Sequence, residues 1–152
     1  MNERLLQFIW QFQLFNHSNL HTTDGEPLQV LHPGMLNTHQ GPDFQNARIR
    51  VGSTIWVGSV ELHLLNSLWR EHGHSGDNNY ANVVLHVVWQ HDTELQLSFP
   101  TLVLEGRISG VLLARYRELM NRKAFIACDN QLGNIPSVTW QSWKERLVAE
   151  RL

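Results

Sequence analysis

Three side chains capable of metal-binding or acid/base chemistry stand in two neighbouring segments of the chain: Asp43, Glu61 and His63. Glu61 and His63 alternate with apolar Val60 and Leu62, and because a strand sends alternate side chains to opposite faces, the acid and the imidazole share one face. Asp43 follows a Gly-Pro turn, where a neighbouring strand would bring its carboxylate to the same point. This arrangement predicts a divalent-metal or acid/base site.

The two acids also have a purely structural interpretation. Asp43 would cap the turn that precedes it, and Glu61 would pair with Arg48 or Arg50 across a hairpin. Cross-strand charge pairs of this kind contribute only about 0.2–1 kcal/mol each. The residues alone leave both interpretations open.

Histidines provide a second candidate site, since the chain holds nine of them. His72 and His74 lie two positions apart and would form a small transition-metal site with His63 or Asp77, because imidazole is a common ligand of such ions. His86 stands inside an apolar run and is predicted to be a hydrogen-bonded core residue.

The elements that position these residues predict an α/β fold of the mixed α+β kind, with a central mixed sheet flanked by helices. The predicted strands are Leu28–His32, Phe44–Val51, Thr54–Leu65, Val83–Trp89 and a hairpin of Leu95–Phe99 with Leu102–Glu105 that turns at Pro100. The predicted helices are Glu3–Phe15 with Asn2 as N-cap, Ile108–Asn121, and Val138–Leu152 with Ser137 as N-cap.

Three details of this pattern can be tested. Gly58 interrupts the second long strand and predicts a bulge there. The apolar run Val83–Trp89 is typical of a strand buried on both faces. Phe12 is expected to face inward from the first helix together with Leu5, Leu6 and Ile9.

Residues 1–152 are expected to form a single domain. The last predicted helix reaches the end of the chain without a glycine or proline stop signal, so we expect this domain to be the N-terminal part of a longer polypeptide. The only cysteine, Cys128, excludes an internal disulfide and a multi-cysteine zinc site. The start does not read as a signal peptide and no apolar run is long enough for a membrane span, so a cytoplasmic protein is expected.

The net charge of −2 gives the chain no overall attraction to nucleic acid or to anionic membranes. Basic residues are nevertheless concentrated between Arg107 and Lys123, where Arg115, Arg122 and Lys123 are candidate phosphate contacts. A solvated helix face explains the same segment equally simply, and both interpretations stay open.

The order of elements resembles the restriction-endonuclease-like PD-(D/E)XK fold, on the residues Pro42-Asp43 and Glu61-Leu62-His63. This resemblance implies that Asp43, Glu61 and the carbonyl of Leu62 hold Mg²⁺ or Mn²⁺ for phosphodiester hydrolysis of DNA or RNA. His63 would stand in the place of that family's lysine, and Glu3 would add an accessory carboxylate.

A longer set of motifs resembles a bacterial family known as domain of unknown function 2851. The motifs are Gly41-Pro42-Asp43-Phe44, Gly58-Ser59-Val60-Glu61-Leu62-His63, His72-Gly73-His74 and Asn82-Val83-Val84-Leu85-His86-Val87-Val88-Trp89. This resemblance implies a chain that continues beyond the C-terminus, and it implies no activity.

Three functions therefore compete. The first is a metal-dependent nuclease with Asp43, Glu61 and His63 as its catalytic residues. The second is a non-catalytic nucleic-acid-binding or scaffold module of the same fold, and the third is a histidine-rich metal-binding domain centred on His72 and His74.

Overall fold

The structure is a computed structural model that describes residues 1–121 and 133–151, the side chain of Ser75 excepted. It is a mixed α/β protein, as the sequence predicts. The chain divides into two compact units, Met1–Ser109 and Gly110–Leu152. The sheet and all the candidate metal ligands lie in the first unit.

The first unit is built on a six-stranded sheet in the order β1-β3-β4-β5-β6, with the short strand β2 paired to β3. Strands β1, β3 and β4 pair antiparallel, whereas β4, β5 and β6 run parallel. The elements are α1 (Glu3–Gln11), β1 (Leu28–His32), β2 (Met35–Leu36), β3 (Phe44–Val51), β4 (Thr54–Leu65), α2 (Leu68–Glu71), β5 (Val83–Gln90) and β6 (Thr101–Val103).

The β3–β4 hairpin turns at Gly52, whose φ of 55° lies in the left-handed region that glycine tolerates. Ala47, Ile49 and Val51 are buried on one face of β3, while Arg48 and Arg50 are exposed on the other. This alternation and the bounds of β1, β3 and β4 confirm the sequence pattern.

A bulge lies in β3 and not at Gly58, where it was predicted. Phe44 pairs with Val60 and Ala47 with Gly58, so two residues of β3 oppose the single Ser59 of β4. One of the two, Asn46, has a φ of 58°, a conformation that asparagine tolerates better than most residues.

Gly58 is needed for another reason: the backbone at Asn82 passes very close to it. A Cβ at this position would lie 2.4 Å from the carbonyl oxygen of Asn82 and 2.5 Å from Cγ1 of Val84. Only glycine therefore allows the chain entering β5 to lie against β4.

Strand β5 is buried along Val83–Val88, which confirms the prediction for its apolar run. Because β4 and β5 are parallel, the chain must cross over between them. This crossover contains α2 and two 3₁₀ turns, His74–Gly76 and Asn78–Tyr80, and its return sets Glu61 opposite His86 in the register.

The predicted hairpin at Pro100 is wrong. Residues 95–99 form no strand, and Thr101–Val103 is a single strand parallel to β5. Leu102 and Leu104 are fully buried, and the Leu104 N–H donates to the Val88 carbonyl at 2.9 Å. The burial of Leu102 and Leu104 against β5 determines that β6 pairs with β5. The alternation of polar and apolar residues in 95–99, which suggests a hairpin, gives no information about this burial.

Helix α1 begins as predicted, because the side chain of Asn2 accepts the N–H of Leu5 at 2.9 Å. It ends at Gln11, earlier than predicted, and Phe12 is 56% exposed instead of facing inward. Gln13 has a φ of 54°, which turns the chain back so that Phe15 stacks on Trp10.

The second unit contains α3 (Gly110–Asn121) and α4 (Ser137–Ala149). Ser137 is the first residue of α4 and not its N-cap; Pro136 takes that position and no side chain caps the helix. Arg115 is exposed on α3, whereas Arg122, Lys123, Cys128 and Leu152 lie outside the described residues. Across the part of the chain that is described, no helix has the length and apolar character required to cross a membrane.

Candidate metal centre

Strand β4 places Glu61 and His63 on the same face, as the alternation predicts, and both side chains are buried, with relative exposures of 6% and 1%. Oε1 of Glu61 lies 3.5 Å from Nε2 of His63. The backbone N–H of Asp43 donates to the other oxygen of Glu61, Oε2, at 3.0 Å. The three residues thus converge at the start of the β3–β4 pairing.

The carboxylate of Asp43 is engaged through both of its oxygens. Oδ1 accepts from Nε2 of Gln7 on α1 at 2.8 Å, and Oδ2 accepts the backbone N–H of Leu62 at 3.0 Å. Leu62 therefore contacts Asp43 through its N–H. Glu3, also on α1, lies near enough for its charge to raise the pKa of Asp43. Asp43 holds α1, β3 and β4 together at this point.

Three histidines form a cluster over Glu61. One nitrogen from each of His63, His72 and His74 lies within 4.8 Å of the other two. Nε2 of His63 is 3.2 Å from Nδ1 of His72 and 3.3 Å from Nε2 of His74. Nε2 of His74 is also 3.5 Å from Oε1 of Glu61. The crossover thus places His72 and His74 beside Glu61 and His63 of β4.

Four of these separations are close to the edge of a tetrahedral metal site, and the third pair of nitrogens lies within 4.8 Å. Zinc binds imidazole nitrogen at about 2.0–2.1 Å, so two ligand atoms of a tetrahedron lie roughly 3.3–3.4 Å apart. The two nitrogen pairs at 3.2 and 3.3 Å fall on this value, and Oε1 of Glu61 lies 3.5 Å from two of the nitrogens. The clustered donors are three imidazoles, and the carboxylate of Glu61 lies beside two of them.

His86 supports the cluster from behind. Its Nε2 lies 2.9 Å from Nδ1 of His63, and its ring is fully buried in β5. If Nε2 of His63 binds an ion, Nδ1 must carry the proton and donate to His86, an arrangement that fixes the orientation of a ligand imidazole. Nδ1 of His86 has no hydrogen-bond partner among the described residues.

The carboxylates of the site hold their protons unusually strongly. Burial raises the pKa of Glu61 to about 8, with the charge of Asp43 as the next cause. Burial likewise raises the pKa of Asp43 to about 6. A buried acid with a raised pKa is one that gains most from a nearby cation.

The imidazoles of His63, His74 and His86 are shifted towards their neutral form, in which a histidine binds metal. Burial, followed by the neighbouring histidines, lowers the pKa of His63 and of His86 to about 3. Burial also lowers the pKa of His74. Since a metal ligand must be unprotonated, these imidazoles need lose no proton before they bind an ion.

Aromatic rings enclose one side of the cluster. The ring of Tyr80 stacks on that of His74 with centroids 3.9 Å apart, and Trp69 meets His74 edge-on at 5.2 Å. Burial raises the pKa of Tyr80 to about 12, and the charges of Glu61 and Asp43 add to the effect. The Tyr80 hydroxyl therefore stays a proton donor beside the two acids.

Comparison with known families agrees with the motifs that carry these ligands. The family described as "Protein of unknown function (DUF2851)" matches residues 3–152, which is essentially the whole chain. The chain belongs to the DUF2851 family. No curated protein and no solved structure gives a significant match.

In this DUF2851 member, five of the predicted site residues meet in one place: Asp43, Glu61, His63, His72 and His74. Glu3 lies nearby on α1. Asp77 is not among the three clustered ligands; its carboxylate caps the next turn by accepting the N–H of Asn79 at 2.9 Å, and its charge opposes the lowering of the pKa of His74 that burial causes. Arg115 lies on α3 in the second unit.

The alternative in which Glu61 pairs with Arg48 or Arg50 is wrong for this DUF2851 member. The register pairs these arginines with Val57 and Ile55, and they project from the exposed face of β3. Arg50 donates to Gln29 at 3.0 Å instead. The bulge in β3 lies between these arginines and Asp43, the residue whose backbone N–H donates to Glu61.

Two residues of the DUF2851 site were missed in the sequence. Gln7 lies four positions after Glu3, on the same face of α1, and this spacing was a usable signal. Tyr80 stood in a segment without periodicity, so nothing in the sequence indicated that it stacks on His74.

Proposed function

We propose that this DUF2851 protein is a transition-metal-dependent hydrolase whose ion is held by His63, His72, His74 and Glu61. The observation that carries the proposal is the spacing of the donor atoms, 3.2 to 3.5 Å between neighbouring pairs. Three imidazoles, or two imidazoles and a carboxylate, make donor sets that catalytic zinc sites use.

The donor set also favours a particular class of ion. Imidazole suits Zn²⁺ and its first-row neighbours, whereas Mg²⁺ prefers oxygen ligands in a near-octahedral arrangement. We therefore place Zn²⁺ first and Mn²⁺ second for this cluster. When bound, such an ion would supply Lewis-acid polarisation of the scissile group.

Other residues of the protein would control access to the ion, orient its ligands and bind the substrate. His72 is exposed, so the cluster is open to solvent on that side. Asp43 orients Glu61 through its backbone N–H, and the protonated hydroxyl of Tyr80 is available as a donor to a substrate oxygen. His63, which stands where the nuclease hypothesis expects a lysine, would serve here as a ligand of the ion through Nε2.

The substrate we propose is a phosphodiester of DNA or RNA. The support is the order of elements, in which a helix, three long antiparallel strands with the short β2 among them, a crossover and a parallel strand follow each other, with Asp43 just before β3 and Glu61 in β4. This order resembles the restriction-endonuclease-like fold. A cytoplasmic location, which the single cysteine favours, belongs to the same proposal.

A second candidate is a hard-ion site for Mg²⁺ or Mn²⁺ on Asp43, Glu61 and the carbonyl of Leu62. The observation in its favour is the adjacency of two buried carboxylates with raised pKa values. Against it, both oxygens of Asp43 already accept hydrogen bonds, so an ion would have to share each oxygen with Gln7 or with the N–H of Leu62.

Calorimetric titration of the whole chain with Zn²⁺, Mn²⁺ and Mg²⁺ separates the candidates. We expect one Zn²⁺ per chain, with binding lost in His74→Ala and strongly weakened in His72→Ala. Asp43→Ala should retain Zn²⁺ binding, and His91→Ala, a histidine paired with Glu94 outside the cluster, serves as the control.

Hydrolysis is then assayed on single- and double-stranded DNA and RNA with the loaded protein. Heat with Mg²⁺ or Mn²⁺ that disappears in Asp43→Ala would favour the hard-ion site. Heat with none of the three ions would exclude both metal sites and favour the non-catalytic module, whose nucleic-acid binding should weaken steeply with salt.

A further inference from the structure

A cleft of about 430 Å³ opens directly beside the candidate metal centre. His74 lines this cleft and also directs Nε2 towards His63 and Glu61. Pockets that hold small molecules typically measure about 300–1,000 Å³. A small molecule bound in the cleft would therefore lie next to His74 and to any ion held by the cluster.

Three aromatic side chains, Trp69, Tyr80 and Phe99, line the cleft. Trp69 is 3% exposed, and its ring centroid lies 6.0 Å from that of Tyr80 and 5.0 Å from that of Phe99. Tyr80 and Phe99 are only half-buried, so part of each ring is open to solvent. A planar ligand in the cleft would thus meet aromatic rings that packing on Trp69 already holds in place.

Four of the other lining residues have polar side chains, and none of these four carries a positive charge. Asn78, Gln96 and Ser98 are side chains with hydrogen-bond donors and acceptors, and Asp77 adds a carboxylate. Among the described residues that line the cleft there is no lysine or arginine. This lining suits a neutral, planar group with polar edges and does not suit a phosphate.

We infer that the cleft binds a nucleobase of the substrate while the adjoining phosphodiester lies at the metal centre. The inference rests on the proposed function and names its substrate as unpaired, single-stranded nucleic acid. Every base has a face that stacks on aromatic rings and an edge that hydrogen-bonds to amides, but in a duplex both are already occupied. An aromatic side chain of a peptide has the face without the polar edge, so Asn78 and Gln96 favour the base.

The test measures binding of adenosine monophosphate to the whole chain, both metal-free and loaded with Zn²⁺, by calorimetry and by tryptophan fluorescence. Ribose phosphate, which lacks the base, should bind at least tenfold more weakly. Phe99→Ala should weaken adenosine monophosphate binding about 5- to 100-fold, the range expected for loss of one stacking ring.

The controls keep base binding apart from metal binding and from folding. Phe12→Ala, which removes an exposed aromatic ring on another part of the surface, should leave the affinity unchanged. Leu97→Trp, which fills the cleft from its lining, should abolish base binding while the bound Zn²⁺ stays at the wild-type amount. This variant gives an answer even if Phe99→Ala fails to fold.

The outcomes are distinct. Equal binding of adenosine monophosphate and ribose phosphate would overturn the inference, and so would tighter binding of N-acetyltryptophanamide, an aromatic amino-acid probe. Base binding that depends on Phe99 in a chain that takes up no metal would support the cleft while the proposed hydrolase fails.

Discussion

Nδ1 of His63 lies 2.9 Å from Nε2 of His86, and both rings are buried between the central strands β4 and β5. One of the two nitrogens must donate and the other accept. The pair therefore couples the tautomer of His63 to a residue that reaches no solvent. Any ion bound by Nε2 of His63 would fix the direction of this hydrogen bond, because the proton of His63 must then stand on Nδ1.

Replacement of His86 by leucine should separate metal affinity from stability. We expect His86→Leu to weaken Zn²⁺ binding about 10- to 100-fold, as loss of a hydrogen-bonded partner of a ligand does. The free energy of unfolding of the metal-free protein should change by less than about 1 kcal/mol, because the substitution also removes the unpartnered Nδ1 of His86. Zinc titration and urea denaturation measure the two quantities, with His91→Leu as control. Equal losses in both would show that His86 acts only through folding.

Zinc binding should release a proton from Glu61. Because the pKa of Glu61 is raised to about 8, its carboxyl is largely protonated at neutral pH and must ionise to bind a cation. We expect the release of about one proton per ion, measured from the dependence of the binding enthalpy on the ionisation enthalpy of the buffer. Glu61→Gln should release close to none from this site. A wild-type value near zero would mean that Glu61 is not a ligand.

The stability of the metal-free protein should fall as the pH rises from about 7.5 to 8.5. The native state keeps the proton of Glu61 up to a pKa of about 8, whereas the unfolded state loses it near 4.5, so this contribution is complete below 4.5 and is lost through 8. The unfolded forms of His63, His74 and His86 titrate near 6.5 and are almost entirely neutral above about pH 7.5, so their opposite contribution changes little beyond that pH. The loss should not exceed about 1.4 kcal/mol per pH unit.

Urea denaturation in the presence of a chelator measures this dependence across the same pH range. Glu61→Gln should give a flatter profile, because glutamine carries no proton to lose. A wild-type stability that rises over this range would contradict the raised pKa of Glu61.

Any side chain at position 58 should lower the stability of the fold. In Gly58→Ala the new Cβ would meet the Asn82 carbonyl oxygen at 2.4 Å, and a backbone group cannot turn aside as a flexible side chain can. We expect a loss of about 1–3 kcal/mol in the free energy of unfolding, as overpacking typically causes. Gly76→Ala is the matched control, since a Cβ there would meet no atom within 4 Å and should change stability by less than about 0.5 kcal/mol. Chemical denaturation of both variants decides the matter.

Much of the antiparallel part of the fold was predictable because local signals agree there. Alternation in Phe44–Val51 and the Gly52-Ser53 turn fix both the strand bounds and the shared face of Glu61 and His63. The parallel pairing of β6 was not predictable, since it depends on the burial of Leu102 and Leu104 against a strand that lies earlier in the chain. Short apolar segments carry no information about their partner.

The candidate site was predicted in its residue types and only partly in its arrangement. The sequence related Asp43 to Glu61 and named His63, His72 and His74 as potential ligands, but it could not decide which group would hold an ion. That depends on the crossover, where Trp69 and Tyr80 pack around His74, and such contacts have no periodic signature. The hydrogen bonds that engage both oxygens of Asp43 come from distant segments and were equally invisible.

The crossover between β4 and β5 contributes two of the three clustered imidazoles, whereas the third belongs to the strand that the chain has just left. A cation shared by His63 and His72 would close a ring of backbone much as a disulfide does, within a chain whose single cysteine cannot form one internally. Withdrawal of the cation would then remove this constraint and leave the irregular segment held by the packing of Trp69 and Tyr80. Availability of metal would in this way govern how often that one stretch opens to solvent and to proteases.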